Sequence, residues 1–306
     1  MAVIVERRLA RRGIWDLFDQ RQGGEKKARR SVWLARLAGT PSALVGAAIL
    51  ALYVVLAVCG SLLAPYPATE FHIQDKLQGP SAAYLFGTDQ FGRDVFSRVL
   101  AGTGGILLLA VTATALGLAM GVAIGAAAAY VGGKLDEVLM RTMDALMSFP
   151  SLLMAMLILA MVGPNTRNVV IGIGVVFTPR VARVVRSVVL GLRHQEYVEA
   201  ARLRGESGLA IVVREILPNA LNPIIVEGSI RISYAILLGA SLGFLGLGVQ
   251  PPAPDWGLMV SDARNFILIA PWMVLFPSLA IAVLVVGANL FADGLSRLLD
   301  VGNRTM

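Results

Sequence analysis

Five stretches of this chain carry no Asp, Glu, Lys or Arg: 37–69, 99–133, 145–166, 232–254 and 265–292. A helix needs roughly 20 apolar residues to cross a hydrocarbon core, and each stretch is long enough. A soluble fold would have to pack several uniformly apolar helices into one small core, against the hydropathy rules. Charged residues make up only 15% of the chain, well below the roughly 25% of a typical soluble domain.

Read at helix length, the runs give an all-α membrane protein with six transmembrane helices. These are expected at about 41–63, 105–130, 145–161, 169–190, 219–248 and 272–291. The fourth gives the weakest signal, because only 168–179 is free of charge before Arg180, Arg183 and Arg186. Long arginines near a helix end can snorkel to the interface, which keeps a span admissible there. Pro65 and Pro67 end the first span, and Asp94 is placed to open the helix that follows. Arg141 and Asp144, three apart, share a face at the entrance to the third. Gly117, Gly121 and Gly125 recur every four residues in the second span. They form a smooth ridge on which another helix can lie closely, and helix packing is their expected role.

The net charge of +7 does not indicate nucleic acid, because of where the charge lies. Ten basic residues precede the first span, with no aromatic platform for stacking bases among them. The head and the apolar run after it are both too long for an ordinary cleaved signal peptide, so the first span reads as a retained anchor. Six spans put both termini on one side, and that side then holds 21 of the 27 Lys and Arg. The opposite side holds 5, and Arg231 falls within a span. The positive-inside rule makes the richer side, with the N and C termini, cytoplasmic. The chain divides into a basic cytoplasmic segment at 1–40 and a membrane domain at 41–306.

Several chemistries find no support. The sole cysteine, Cys59, cannot form an intrachain disulfide. The only histidines, His72 and His194, belong to loops on opposite sides, and no thiolate pair accompanies them, so no metal site is expected. A phosphate-binding loop would need Gly where Ala128 stands and Ser or Thr where Leu135 follows Lys134. The GxSxG pattern at 239–243 lacks a histidine base in any span, so it reads as a helix interface. Glu227 is the one candidate for an intramembrane proton carrier, but Arg231 four residues on can neutralise it. A structural or gating pair is the expected reading.

One polar island remains, the cytoplasmic loop 194–218. Its charged first half suits a helix, Gly205 a left-handed cap, and Pro218 a stop to regular continuation. It reads as helix, turn, helix displayed outside the membrane, a candidate protein docking site.

Glu199, Ala200, Ala201, Gly205, Leu217 and Pro218 stand at the spacing of the signature loop of ABC importer permeases, which the chain resembles here. That pattern often carries Ile three residues before the Pro, where this chain has Glu215. Three further segments, 86–98, 140–151 and 244–257, are similar to the dipeptide, oligopeptide and nickel permeases, and the first to their C-type subunit. The resemblance implies a type I ABC importer permease fold in the cell inner membrane. It implies as partners a B-type permease, two ATPase subunits carrying the ATP and Mg, and an extracytoplasmic substrate-binding protein. This chain, set in the lipid bilayer, would hold no cofactor and catalyse nothing. Glu196, Glu199, Ala200, Ala201, Arg202, Gly205, Leu217 and Pro218 would form the ATPase-coupling site. Peptides are the implied cargo, with glutathione, nickel or opines as alternatives. An ion-coupled transporter is a more remote reading.

Overall fold

The structure, a computed structural model, describes residues 41–303, with side chains through Leu299. The basic segment expected at 1–40 lies outside the described residues. Apart from an isolated bridge between Thr88 and Asp94, the regular structure described is helical. The long helices are α1 (Pro41–Leu63), α2 (Val95–Val131), α5 (Thr166–Leu192), α7 (Gly208–Phe244) and α9 (Trp272–Asn303). Shorter ones are α3 (Gly133–Met147), α4 (Ser151–Val162), α6 (Glu196–Leu203) and α8 (Trp256–Ala263).

Five helices, α1, α2, α5, α7 and α9, are long and apolar enough to cross a membrane. A sixth crossing exists only if α3 and α4, bent by 94°, count as one broken span. The single helix expected at 145–161 is therefore not formed. Pro150 carries no N–H and takes an extended ψ of 132°, and a proline also biases the residue before it away from helix. The 12 residues of α4 rise about 18 Å, short of the roughly 30 Å core.

The other boundaries move for local reasons. The Asp94 carboxylate accepts from the Ser97 backbone N–H at 2.8 Å and the Ser97 hydroxyl at 2.6 Å, and that cap starts α2 ten residues before the expected 105. At 37 residues, α2 is about 55 Å long and projects beyond any bilayer core. Pro218 does not separate two helices. A π turn at Val212–Ile216 precedes it, with the Leu217 N–H reaching back to the Val212 carbonyl, and α7 continues through. The wider turn accommodates the residue that cannot donate. Beyond Phe291 the chain does not become a tail. The apolar stripe continues through the buried Ala292, Leu298 and Leu299, and α9 runs with it to Asn303.

The weakest span in the sequence is the best buried. In α5, 56% of the most apolar stretch lies inside the protein, against 22% for α1 and α9. A helix enclosed by other helices needs less apolar surface than one facing lipid. α2 is its main neighbour, and the glycine ridge is where they meet. A Cβ on Gly121 would lie 2.5 Å from the Val181 Cβ, and one on Gly117 2.8 Å from the Phe177 Cβ. Gly125 faces the Ala182 carbonyl. A second close crossing, not foreseen, joins α1 to α9, where Gly46 meets the backbone near Gly287 and Gly294 meets Ala43.

The loop 64–94 folds as a clasp over the N-terminal end of α2. Asp89 ties Arg93 at 2.6 Å, Arg98 donates to the Ala68 carbonyl, and Phe86 stacks on Phe276 of α9 at 3.8 Å. The Trp272 indole N–H donates to the Thr88 carbonyl and that of the buried Trp256 to Val99. The segments 86–98 and 244–257 thus serve as architecture at the end of α2 opposite the α6 loop. The serine of the GxSxG pattern donates to the Leu237 carbonyl of its own helix, and no histidine lies on that helix.

Candidate functional site

The polar island is a compact knob seated on the C-terminal ends of α2 and α5. On α6, Val198 and Ala201 are fully buried, three residues apart, and pack with Ala126, Ala129, Val185 and Val189. Ile211 and Ile216 of α7 enter the same cluster. The helix ends at Gly205, whose φ is +78°. The Glu206 N–H reaches the Ala201 carbonyl at 3.2 Å and the Gly205 N–H that of Arg202 at 2.9 Å. This is the reciprocal pair of a Schellman cap, which requires a left-handed residue there.

Side-chain contacts brace the turn. Arg204 donates to Glu206 at 2.7 Å and to Glu215 at 3.4 Å, which joins the two arms. Glu215, the position where the permease pattern often has Ile, is thus a polar strut. The Arg202 guanidinium lies 5.6 Å from the Tyr130 ring at the end of α2, and a Cβ on Gly208 would touch that ring. Arg193 donates to the Ala129 carbonyl at 2.7 Å, satisfying a helix end that would otherwise lack a donor. Burial, and secondarily the charge of Glu215, pushes the Tyr197 phenol above its ordinary range, keeping it neutral. Glu196 and Glu199 occupy the first turn and Arg202 the last, each favourable to the helix dipole.

The eight residues expected at the docking site do not share one face. Glu196, Glu199, Ala200, Arg202, Gly205 and Pro218 are exposed, Leu217 is half-buried, and Ala201 points inward. Ala201 anchors the knob. Two residues escaped the sequence reading: Leu203 at 90% exposure and Leu209 at 76% flank the turn. Leucines in a helical segment read as core from sequence, and only the placement of the turn turns these outward.

Below the knob, the arginines of α5 meet α3. Asp136 takes Arg186 through two bonds of 2.6 Å, and Asp144 takes Arg183. Arg141 pairs with Glu137 at 3.2 Å, so the face shared by Arg141 and Asp144 serves two different partners. The charges that weakened the fourth span are in part matched by the acidic residues of α3.

Glu227 and Arg231 approach to 2.8 Å, both nearly buried. Arg231 also lies over the rings of Tyr234 at 5.0 Å and Phe177 at 5.7 Å. It borders a cavity of about 280 Å³ between the α3–α4 bend, α5 and α7. Among the described residues no group of three or more His, Cys, Asp or Glu could hold a metal.

Known proteins resemble the chain over most of its length. Residues 117–304 match the family described as binding-protein-dependent transport system inner membrane component. Residues 29–80 match the N-terminal TM domain of oligopeptide transport permease C. The dipeptide transport system permease protein DppC of Alkalihalophilus pseudofirmus is 42% identical over 84% of this chain and 85% of that protein. The glutathione transport system permease protein GsiD of Pectobacterium atrosepticum is 40% identical over 81% and 83%. The probable D,D-dipeptide transport system permease protein DdpC of Escherichia coli K12 is 39% identical over 88% and 90%. In fold, the chain is similar to one from the MetNI methionine ABC transporter in an inward-facing conformation. The TM-score is 0.54 at 18% identity, covering 67% of this chain and 95% of that one.

Proposed function

The chain belongs to the inner membrane components of binding-protein-dependent transport systems, and from that membership we propose that it imports peptides, gripped at the α6 knob by an ATPase. It is a multi-pass inner membrane permease of an ABC importer and not itself an enzyme. Such a system includes a binding protein and ABC partners. The finer assembly is our reading: a B-type permease completing the path through the bilayer, and two ATPase subunits carrying ATP and Mg at the cytoplasmic face. Both termini of this chain lie on that face, and 41–306 acts as the permease domain.

The observation that carries the docking role is the seating of α6. Val198 and Ala201 are locked against α2 and α5, while Glu199, Ala200 and Leu203 stand free. A rigid knob transmits displacement, whereas a mobile loop would absorb it. Closure of the ATPases on ATP would push α6, and α2 and α5 would carry the motion to the outer clasp about 55 Å away. Peptide cargo is favoured by the dipeptide permease relatives at 42% and 39% identity. The glutathione relative at 40% keeps that modified tripeptide as the second reading.

The test is uptake by proteoliposomes holding the whole transporter, energised by ATP, with a dipeptide and with glutathione. Transport driven by an ion gradient without ATPase subunits would overturn the assignment. Leu203→Asp places a charge in the proposed contact and should reduce ATPase co-purification by about tenfold or more, with membrane insertion intact. Unchanged co-purification would remove Leu203 from the interface.

The Glu227–Arg231 pair acts in this reading as a gate strut. Glu227→Gln leaves a nearly buried guanidinium without its counter-charge, at a cost of about 3–5 kcal/mol. The expected result is a lower melting temperature together with ATP hydrolysis poorly coupled to uptake. If melting and coupling both match the parent protein, the pair has no gating role.

A further inference from the structure

The arginines of α5 at positions 180, 183 and 186 recur every three residues and do not share one fate. Arg186 and Arg183 are neutralised by Asp136 and Asp144. Arg180 is exposed, and among the described residues no carboxylate lies within ion-pair distance of it. It lines the same cavity as Arg231, and the two are the only charged residues in that lining. Arg231 already has Glu227, so the cavity keeps one uncompensated positive charge. Its remaining wall is aromatic and aliphatic, including Phe149, Phe177 and Met154, with the hydroxyls of Ser151, Tyr234 and Ser241.

We propose that Arg180 is a specificity residue of the translocation path, receiving a carboxylate of the substrate while the apolar wall receives the adjoining side chain. This rests on the peptide reading above. A guanidinium presents paired donors that match a carboxylate. A free divalent cation would be repelled by the same charge. A phosphate of an anionic lipid shares the chemistry of the carboxylate, and the test separates the two.

The experiment uses the complete transporter in vesicles, with L-alanyl-L-phenylalanine delivered by the binding protein. Arg180→Gln should lower uptake about tenfold, and the number of peptides imported per ATP hydrolysed should fall with it. Arg180→Lys should recover a substantial part, and the defect should be the same in phosphatidylcholine vesicles with or without phosphatidylglycerol. Uptake by Arg180→Gln equal to the parent overturns the proposal. So does a fall in uptake and hydrolysis by the same factor, because that marks a structural role. A defect seen only with phosphatidylglycerol assigns the charge to lipid and also overturns it. A parent protein that imports glutathione but not the dipeptide defeats the peptide reading alone, and the variants are then compared on glutathione, whose carboxylates test Arg180 equally. A parent that imports neither defeats both.

Discussion

Exchanging Glu199 for Lys should leave this permease inserted and folded yet strip it of its ATPase partners and of transport. Glu199 is exposed on the first turn of α6, and the residues that seat that helix, Val198 and Ala201, face the other way. Reversing a charge near a helix N-terminus costs the knob only about 1 kcal/mol through the dipole. The proposed interface would lose more, since a reversed charge at a contact covered by the ATPase would meet repulsion and desolvation together. A drop in ATPase affinity of about 30-fold or more is expected. Gly205→Arg acts at the same surface by another route. No atom lies within 4 Å of the Cβ position, so the side chain projects outward. The φ of +78° adds a strain of about 1–2 kcal/mol. Co-purification of ATPase subunits and ATP-driven uptake provide the measurement. Normal uptake by both variants would end the coupling assignment.

Gly121→Leu should cost the fold itself. A Cβ there would already sit 2.5 Å from the Val181 Cβ and 3.0 Å from the Ala182 backbone nitrogen. Backbone cannot rotate aside, so α2 and α5 must separate, and these two helices carry the knob. Overpacking a tight core costs about 1–3 kcal/mol, and backbone contact puts this site at or above the upper end. The control is Gly105→Leu on the same helix, where no atom lies within 4 Å of the added Cβ and the change should stay within about 0.5 kcal/mol. Thermal melting of purified protein distinguishes them. Equal melting temperatures would mean the ridge is not the close crossing described.

The ridge and the knob were legible in the sequence because each rests on local pattern. Glycines four apart share a helix face in any α-helix, and Gly205 after a charged helical segment marks a cap in any context. The outward direction of Leu203 and the inward direction of Ala201 were not legible, because they depend on which side of α6 meets α5. The bend in the third span was not legible for a similar reason. Its run of apolar residues has the length of a crossing, but Pro150 divides it, and α3, which leads into it, is held through Asp144 and Asp136 to arginines 39 and 50 residues away.

By itself the sequence determined the class of protein, the number of apolar runs and the family resemblance. Those follow from composition over 20 or so residues and from motifs that local geometry preserves. Tertiary structure alone decided that the most charged span lies at the centre, that Arg183 and Arg186 are neutralised while Arg180 faces a cavity, and that Glu215 braces the knob. Each of these depends on pairs far apart in the chain, and a charge reads alike in sequence whether another helix brings it a partner or leaves it one place to receive a ligand.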